Sequence, residues 1–243
     1  MIEYEMVGAT YDFLYAKYSG RSPKELLKYA EIKPQSSFLD LCCGSNGRMS
    51  KAAFDMGATN VCSVDLNPLV AEMPLTHWKK DNLIKTPSTI NDYIYYIYGG
   101  LGWYVFNSSV HDYLSTLLPI TTFDTIACQQ GINYWFNESD IKLVKSKLNK
   151  GGKFVFNTFW NEPRTIPVVK EYEINDIKYA EITVRAYDAI HHSVYVDGTP
   201  PHHTTFKWIP PEKFMTILVD IFGKDMVTLV RKGSTDIYIA EKQ

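Results

Sequence analysis

The chain has 243 residues, of which 45% are hydrophobic and 21% charged, and its formal net charge is −2. This length and composition predict one domain, 1–243, with a single sizeable core of the α/β class. Lysines and arginines form no cluster, which argues against nucleic-acid binding through phosphate neutralisation. No apolar run approaches the ~20 residues of a membrane span and residues 1–5 do not resemble a leader, so we expect a cytoplasmic protein without membrane contact.

Residues 1–35 have the pattern of helices and are predicted to form a helical lid ahead of the core. This lid contains the sequence Tyr11-Asp12-Phe13-Leu14-Tyr15. Its two tyrosines either pack the helix onto the sheet or reach a bound ligand, and the sequence leaves both alternatives open.

The predicted core, 36–157, begins with a strand, Phe38–Leu41, that leads through a turn of small residues into a helix at Arg48. Such a turn lets backbone N–H groups approach a ligand closely, and the helix N-terminus behind it favours an anionic group. A second strand, Val61–Asp65, also ends in an acid, about 20 residues past the turn, as expected for a carboxylate on ribose hydroxyls. Together these features predict a nucleoside site.

A dinucleotide site is the less favoured alternative. Cys42, Gly44 and Gly47 occupy the three positions of a degenerate dinucleotide fingerprint. However, Asp40 precedes the turn, where a pyrophosphate gains nothing from a further negative charge and an ammonium group gains a partner. The helices predicted ahead of the first strand also argue against a dinucleotide fold.

Further strands are predicted at Trp103–Phe106, Phe123–Cys128 and Lys150–Phe156. The connection from Asp65 to Ser109 is longer than a helix and two short loops require. We expect its aromatic residues mainly to pack a helix, with pocket lining as the less favoured alternative. These residues are Tyr93, Tyr95, Tyr96, Tyr98, Trp103 and Tyr104.

The last third of the chain is predicted to form a small antiparallel cap, 158–210, and then a helix and a hairpin, 211–243. Apolar and polar residues alternate over Tyr172–Val196, as is typical of strands. The hairpin joins Met226–Arg231 to Asp236–Ala240. The four cysteines (Cys42, Cys43, Cys62 and Cys128) lie on or beside predicted strands, which indicates reduced core thiols and neither disulfides nor a metal site.

Over most of its length the chain resembles the class I S-adenosylmethionine-dependent methyltransferases. Asp40 and Gly44 match the acid and the central glycine of that family's first motif, while Cys42 and Asn46 replace the flanking glycines. The resemblance implies a Rossmann-like, seven-stranded, mostly parallel sheet with a C-terminal antiparallel hairpin, a helical N-terminal lid and a small antiparallel β cap.

The resemblance also implies the cofactor S-adenosyl-L-methionine, with S-adenosyl-L-homocysteine as product. The residues that match the family's cofactor-binding positions lie on the predicted lid helix, in the first motif, and directly after the second, third and fourth strands of the family's sheet. They are Tyr11, Tyr15, Asp40, Cys42, Gly44, Ser45, Asp65, Leu66, Ser109, Val110 and Gln129.

The Tyr-Asp-x-x-Tyr helix and the pair His202-His203 resemble features of the sugar amine dimethyltransferases and, more loosely for the helix, of glycine N-methyltransferase. The resemblance implies that Tyr15 folds over the methionine end of the cofactor. Gln129, Tyr134, Tyr15 and one histidine of the cap are expected to shape the acceptor side, and His202 or His203 is the candidate general base. Packing or surface roles for the histidines are the favoured alternative, and metal ligation is the least favoured.

The sequence therefore predicts methyl transfer to a small-molecule acceptor, in the first instance an amine nitrogen, by a monomer or homodimer. O- or C-methylation is the next alternative. An RNA or protein methyltransferase is less favoured, because Gln129–Ile132 lacks the Asn/Asp-Pro-Pro-aromatic turn of base-modifying enzymes. A non-catalytic binding module on the same fold is the remaining alternative.

Overall fold

The computed structural model describes residues 23–44, 47–66, 84–86, 93–159, 167–174, 176–185, 189–196, 202–232 and 235–243. These residues form two sheets, six α-helices and a short 3₁₀ turn at Lys224–Met226. The helices are α1 (Pro23–Leu27), α2 (Arg48–Asp55), α3 (Val110–Thr116), α4 (Ile132–Trp135), α5 (Glu138–Ser146) and α6 (Pro211–Phe222).

The larger sheet has nine strands. Across the sheet they run in the order β12 (Val227–Lys232), β13 (Thr235–Glu241), β7 (Leu148–Phe159), β6 (Phe123–Gln129), β1 (Ser37–Leu41), β2 (Asn60–Asp65), β5 (Leu101–Asn107), β4 (Ile94–Tyr98) and β3 (Ile84–Thr86). The five central strands, from β7 to β5, are mutually parallel. Two antiparallel strands flank them on each side.

This topology confirms the predicted fold class, including the C-terminal hairpin, but the sheet has nine strands instead of seven. The extra pair is β3 and β4, which come from the long connection after β2. Tyr95, Tyr96 and Tyr98 of this connection lie on β4 and not on a helix. Tyr98 packs against a helix as expected, because its ring lies 5.4 Å from that of Phe54 on α2 and its hydroxyl accepts a hydrogen bond from Lys51. Tyr95 and Tyr96 pair in register with Tyr104 and Trp103 on β5, and aromatic cross-strand pairs of this kind stabilise a sheet.

The smaller sheet is antiparallel, with the order β11 (His202–Lys207), β10 (Ala189–Val196), β9 (Ile177–Arg185) and β8 (Val168–Ile174). It confirms the strands predicted within Tyr172–Val196. On β10, Ile190 and Val194 are buried, whereas His191 and Tyr195 are exposed. One face of this sheet is therefore packed and the other faces solvent.

Two apolar clusters cover the two faces of the larger sheet. On one face, α3, α5 and α6 pack against Leu39, Leu41 and Phe156. On the other, α1 and α2 pack against Phe38, Val61 and Trp103. Successive residues of β1 point to opposite faces, which places Asp40 on the face that α2 covers. In the described part of the chain, no helix combines the length and apolarity needed to cross a bilayer.

Candidate functional site

The carboxyl ends of the central parallel strands meet at one edge of the larger sheet. Leu41 pairs in register with Cys128 on β6, and Asp65 pairs with Asn107 on β5. At the same edge Gln129 pairs with Asn157 on β7. This edge is where ligands bind in open α/β sheets.

Among the described residues of the loop between β1 and α2, three lie in the left-handed region of backbone space. They are Cys42, Gly44 and Gly47, with φ of +57°, +64° and +53°. Glycine adopts this conformation freely and a side chain costs energy there, so Cys42 is the strained member of the three. Three described residues of the predicted turn thus have left-handed backbone conformations, and the Gly44 N–H points towards the end of β2.

Asp65 at the end of β2 fixes the other side of this loop. Its Oδ2 accepts a hydrogen bond from the Gly44 N–H at 2.9 Å, and the Cys43 N–H donates to the Val64 carbonyl at 3.2 Å. The Asn107 side-chain amide donates to the carbonyls of Asp65 and Leu66, at 3.1 and 3.0 Å. These bonds bring together Gly44, Asp65 and Leu66, and the Leu66 side chain is left 63% exposed.

Asp40 lies beneath the loop and is only 1% exposed. Its Oδ2 accepts hydrogen bonds from the Ser50 N–H at 3.1 Å and from the Ser50 hydroxyl at 2.7 Å. Ser50 is the third residue of α2, whose N-cap residue, Gly47, has no side chain to offer. Asp40 therefore caps α2 from the neighbouring strand, where the partial positive charge of the helix N-terminus favours a carboxylate.

The hydrogen bonds continue from Ser50 into the core. The Ser50 hydroxyl lies 2.7 Å from that of Ser63 on β2, and the Trp103 indole N–H donates to the Ser63 hydroxyl at 2.7 Å. Ser50, Ser63 and Trp103 are all fully buried. Burial raises the pKa of Asp40 to about 7, the hydrogen bond from Ser50 opposes that rise, and the negative charge of Asp65 adds to it.

The predicted adenine-side residues begin α3. Ser109 is the N-cap of this helix: its hydroxyl accepts from the Asp112 N–H at 3.0 Å and donates to the Asp112 carboxylate at 2.6 Å. Val110, the next residue, is buried. Both lie just after β5, at the same edge as Asp65, and their contact with a ligand stays a prediction.

The loop after β6 packs directly against Cys42. A Cβ atom at Gly131 would collide with the Cys42 side chain, and the Cys42 thiol lies 3.9 Å from the Gly131 carbonyl. The pKa of the Cys42 thiol is raised, chiefly by the hydrogen bond with Cys128 and secondly by burial. The Gln130 N–H donates to Asn157 Oδ1 at 3.0 Å, which holds the loop against β7.

Tyr134 lies on α4, the short helix that follows this loop, and is 44% exposed. Asn133, its neighbour, donates a hydrogen bond to the Lys207 carbonyl at the end of β11, at 3.0 Å. The smaller sheet is therefore tied to the loop side of the larger one. Gln129 and Tyr134 lie on this side, and their contact with an acceptor stays a prediction.

The histidine pair begins β11. The side chain of His203 is exposed, and its Nδ1 lies 2.7 Å from the Ser193 hydroxyl of β10. His202 pairs in register with Val194. At ~3.3 Å per residue, roughly 13 Å of strand separate His203 from Lys207, so the structure does not bring His203 to the loop after β6. The general-base role of this pair stays a prediction.

Three of the predicted site residues, Tyr11, Tyr15 and Ser45, lie outside the described residues. In the part of the chain that is described, no group of three or more metal-ligating side chains comes together. The sequence did not predict five residues whose hydrogen bonds support the site: Ser50, Ser63, Trp103, Asn107 and Asn157. Polar residues within apolar strands, as at Ser63, are the one signal that was available for them.

Neither a protein-family model nor a curated protein matches the sequence. Solved structures do match the fold. A S-adenosylmethionine-dependent methyltransferase from Clostridium acetobutylicum aligns with a TM-score of 0.68 at 15% identity, over 96% of this chain and 98% of the other. CalS10, an amino pentose methyltransferase from Micromonospora echinaspora that was solved with SAM bound, aligns with a TM-score of 0.65 at 13% identity, over 96% and 97%.

The sugar N-methyltransferase KedS8 from Streptoalloteichus aligns with a TM-score of 0.61 at 15% identity, over 96% of this chain and 92% of the other. Identities this low establish the fold alone. The resemblance read from the sequence is thus confirmed at the level of the fold, which is that of S-adenosylmethionine-dependent methyltransferases.

Proposed function

We propose that this chain is an S-adenosyl-L-methionine-dependent methyltransferase that acts on a small-molecule acceptor and releases S-adenosyl-L-homocysteine. The observation that carries the proposal is the Asp65 carboxylate at the tip of β2, bonded to the Gly44 N–H of the left-handed loop beside it. This arrangement places a carboxylate and a closely approachable backbone at the same strand tips. The fold match to methyltransferases supports the same conclusion.

The described residues fit the nucleoside part of this cofactor. A carboxylate can accept several hydrogen bonds at once, which suits Asp65 to the ribose hydroxyls. Leu66 follows with an exposed apolar side chain, which suits the face of an adenine ring. Ser109 and Val110 at the start of α3 would lie at the far edge of that ring.

The acceptor side would lie over the ends of β6 and β7. When bound, the cofactor supplies an electron-poor methyl group on a sulfonium. The chain's own contribution is then to align the acceptor and to exclude water, and positioning of this kind accounts for much of such catalysis. Gln129 and Tyr134 are the described residues that we assign to this alignment, with Tyr15 of the lid as a further candidate.

For the methylated atom we propose an amine nitrogen. Two proteins of the same fold, an amino pentose methyltransferase and a sugar N-methyltransferase, carry amine acceptors in their names. The sequence from Tyr11 to Tyr15 and the pair His202-His203 support the same choice, through their resemblance to the sugar amine enzymes. Action as a monomer or homodimer in the cytoplasm also stays a prediction.

The decisive experiment is calorimetry of the purified chain with S-adenosylmethionine, S-adenosylhomocysteine and NADH. We expect saturable binding of the first two and none of NADH, because Asp40 and the loop do not suit a pyrophosphate. The loaded protein is then incubated with fractionated metabolites, and mass spectrometry follows the gain of one methyl group, about 14 Da, on an amine. Binding of NADH in place of the methyl donor would overturn the proposal.

A further inference from the structure

The hydrogen bonds beneath the loop form a chain with one possible direction. The Trp103 indole nitrogen can only donate, so the Ser63 oxygen accepts from it. The Ser50 hydroxyl gives its proton to Asp40, which leaves Ser63 to donate to the Ser50 oxygen. The chain therefore runs from Trp103 through the two serines to Asp40, and every donor in it points towards the carboxylate.

Such a chain favours the ionised form of the group at its end. Hydrogen bonds in series polarise one another, and donors aimed at a carboxylate stabilise its negative charge. Asp40 also receives the Ser50 N–H, one of the first-turn donors of α2 that no other side chain of that helix caps. The charge of Asp40 thus holds the N-terminus of α2 in place, and with it the end of the loop at Gly47.

The groups around Asp40 come from three elements. Ser50 faces it from α2, Ser63 and Asp65 face it from β2, and Ala127 is its register partner on β6. The only charge among the described residues that shifts its pKa is that of Asp65. One neighbouring carboxylate therefore opposes the ionisation of Asp40, and the neutral hydrogen-bond donors around it favour that ionisation.

We propose that Asp40 is a positioning residue and not a direct ligand, and that Ser63 and Trp103, buried beneath it, help to set the affinity of the loop for S-adenosylmethionine. This inference rests on the proposed function. Uptake of a proton by Asp40 weakens its bond to the Ser50 N–H and loosens the start of α2. A bound cation such as S-adenosylmethionine would also favour the ionised carboxylate. Both effects make the affinity higher at pH 8 than at pH 6.

The first test does not need the cofactor. The indole N–H signal of Trp103 is followed by ¹⁵N NMR from pH 5.5 to 8.5 and assigned by its loss in Trp103→Phe. We expect a shift with a midpoint near the Asp40 pKa of about 7. The shift should be absent in Asp40→Asn and in Ser63→Ala, because the first has no titrating group and the second interrupts the chain. A shift that persists in Asp40→Asn would overturn the inference.

The second test measures the dissociation constant of S-adenosylmethionine over the same pH range. We expect Asp40→Asn to bind at every pH as weakly as the unaltered chain does at pH 6. Ser63→Ala and Trp103→Phe should weaken binding about threefold to tenfold at pH 7, as expected for loss of one buried hydrogen bond, and should move the midpoint of the profile upwards. Phe38→Leu, which removes volume from the same apolar cluster but no hydrogen bond, should leave the midpoint unchanged.

The outcomes separate the two proposals. If S-adenosylmethionine binds but its affinity does not follow Asp40, the positioning role is refuted and the proposed function stands. If the Trp103 signal titrates with Asp40 while the unaltered chain binds no S-adenosylmethionine at any pH, the proposed function is refuted and the positioning role fails with it. Equal midpoints in Trp103→Phe and Phe38→Leu would also contradict the inference.

Discussion

The unit formed by β1, α2 and β2 and the smaller sheet formed by β8 to β11 differ in where their polar side chains lie. In the first, Asp40, Ser50 and Ser63 are buried and bonded to one another. In the second, the exposed His191 and His203 each bond a neighbouring strand's hydroxyl, of Thr205 and Ser193. A buried polar group left unpaired costs about 1–3 kcal/mol, whereas an exposed one finds water.

This difference indicates that the unit of β1, α2 and β2 has a fixed geometry, whereas the smaller sheet tolerates substitutions of its polar side chains. The buried bonds of the first unit allow one arrangement of the loop and of the strand tips that we assign to the cofactor. The exposed bonds of the smaller sheet can be exchanged without loss of the fold. Four substitutions or conditions test this contrast, from the strongest effect to the weakest.

Asp65→Ala should abolish binding of S-adenosylmethionine. The substitution removes the acceptor of the Gly44 N–H and of the ribose hydroxyls together, and we expect at least about a hundredfold loss of affinity, as for two hydrogen bonds to a charged group. Calorimetry measures it, with Asp225→Ala, an exposed acid beyond α6, as the matched control. Normal affinity in Asp65→Ala would refute the ribose assignment.

The pH dependence of stability should distinguish Asp40 from every exposed acid. Because burial raises its folded-state pKa to about 7 from 3.8, the folded state holds the proton more tightly than the unfolded one. Ionisation of Asp40 therefore lowers the free energy of unfolding. This loss begins above pH 3.8, reaches its full size above pH 7, and becomes smaller as the pH falls. We expect the chain to gain about 2–3 kcal/mol from this group between pH 8 and pH 5.

Urea unfolding at several pH values measures this gain, and the comparison is with Asp40→Asn, in which this gain should be absent. His111 adds a slope of the same sign, since its bond to Asp140 raises its pKa and that stabilisation is lost as the pH rises. A slope from this histidine should remain in Asp40→Asn and disappear in the double variant Asp40→Asn/His111→Gln. Identical slopes for Asp40→Asn and the unaltered chain would contradict the assignment to Asp40.

Gly131→Ala should destabilise the fold by about 1–3 kcal/mol, the usual cost of overpacking. The added methyl group would collide with the Cys42 side chain, which cannot retreat because Cys128 lies behind it. Thermal unfolding measures the loss, and Cys42→Gly in the same chain should recover most of it, since it removes the obstacle and relieves the left-handed backbone at residue 42. Failure of the double variant to recover would show that the collision is not the cause.

His203→Ala should have the smallest effect on the fold. The side chain is exposed and has one bond to Ser193, so we expect a change below about 0.5 kcal/mol in the free energy of unfolding and no change in cofactor affinity. Turnover in this variant tests the general-base prediction separately. A fall in turnover at constant affinity supports it, and an unchanged turnover removes His203 from catalysis.

The central strands and the turn between β1 and α2 were predictable from the sequence. The strand-turn-helix at Phe38–Phe54 and the acid at position 65 follow local rules of spacing and residue size, and the structure joins them through Gly44. The hairpin and the strands of the smaller sheet follow from alternation, which is also a local signal.

Two features were not predicted, for different reasons. The aromatic segment around Tyr96 has no alternation of its own, and the local signal for its pairing with β5 is the Gly99-Gly100 turn, whose φ angles are +55° and +84°. The link from Trp103 to Asp40 joins three strands and a helix, so nothing in the spacing of these residues reveals it. A single sequence shows which side chains are able to form hydrogen bonds, and the fold determines which of these side chains come into contact.

The cap that α2 receives from β1 has a consequence for the order of folding. Helix α2 has eight residues, fewer than the ~12–15 that an isolated helix needs in water, and its first turn is held by Asp40 and not by a residue of its own. A peptide of residues 47–58 should therefore be a random coil by circular dichroism. The first turn of α2 should therefore become stable only when β1, which contains Asp40, packs against it, so that the strand and not the helix itself determines where α2 begins.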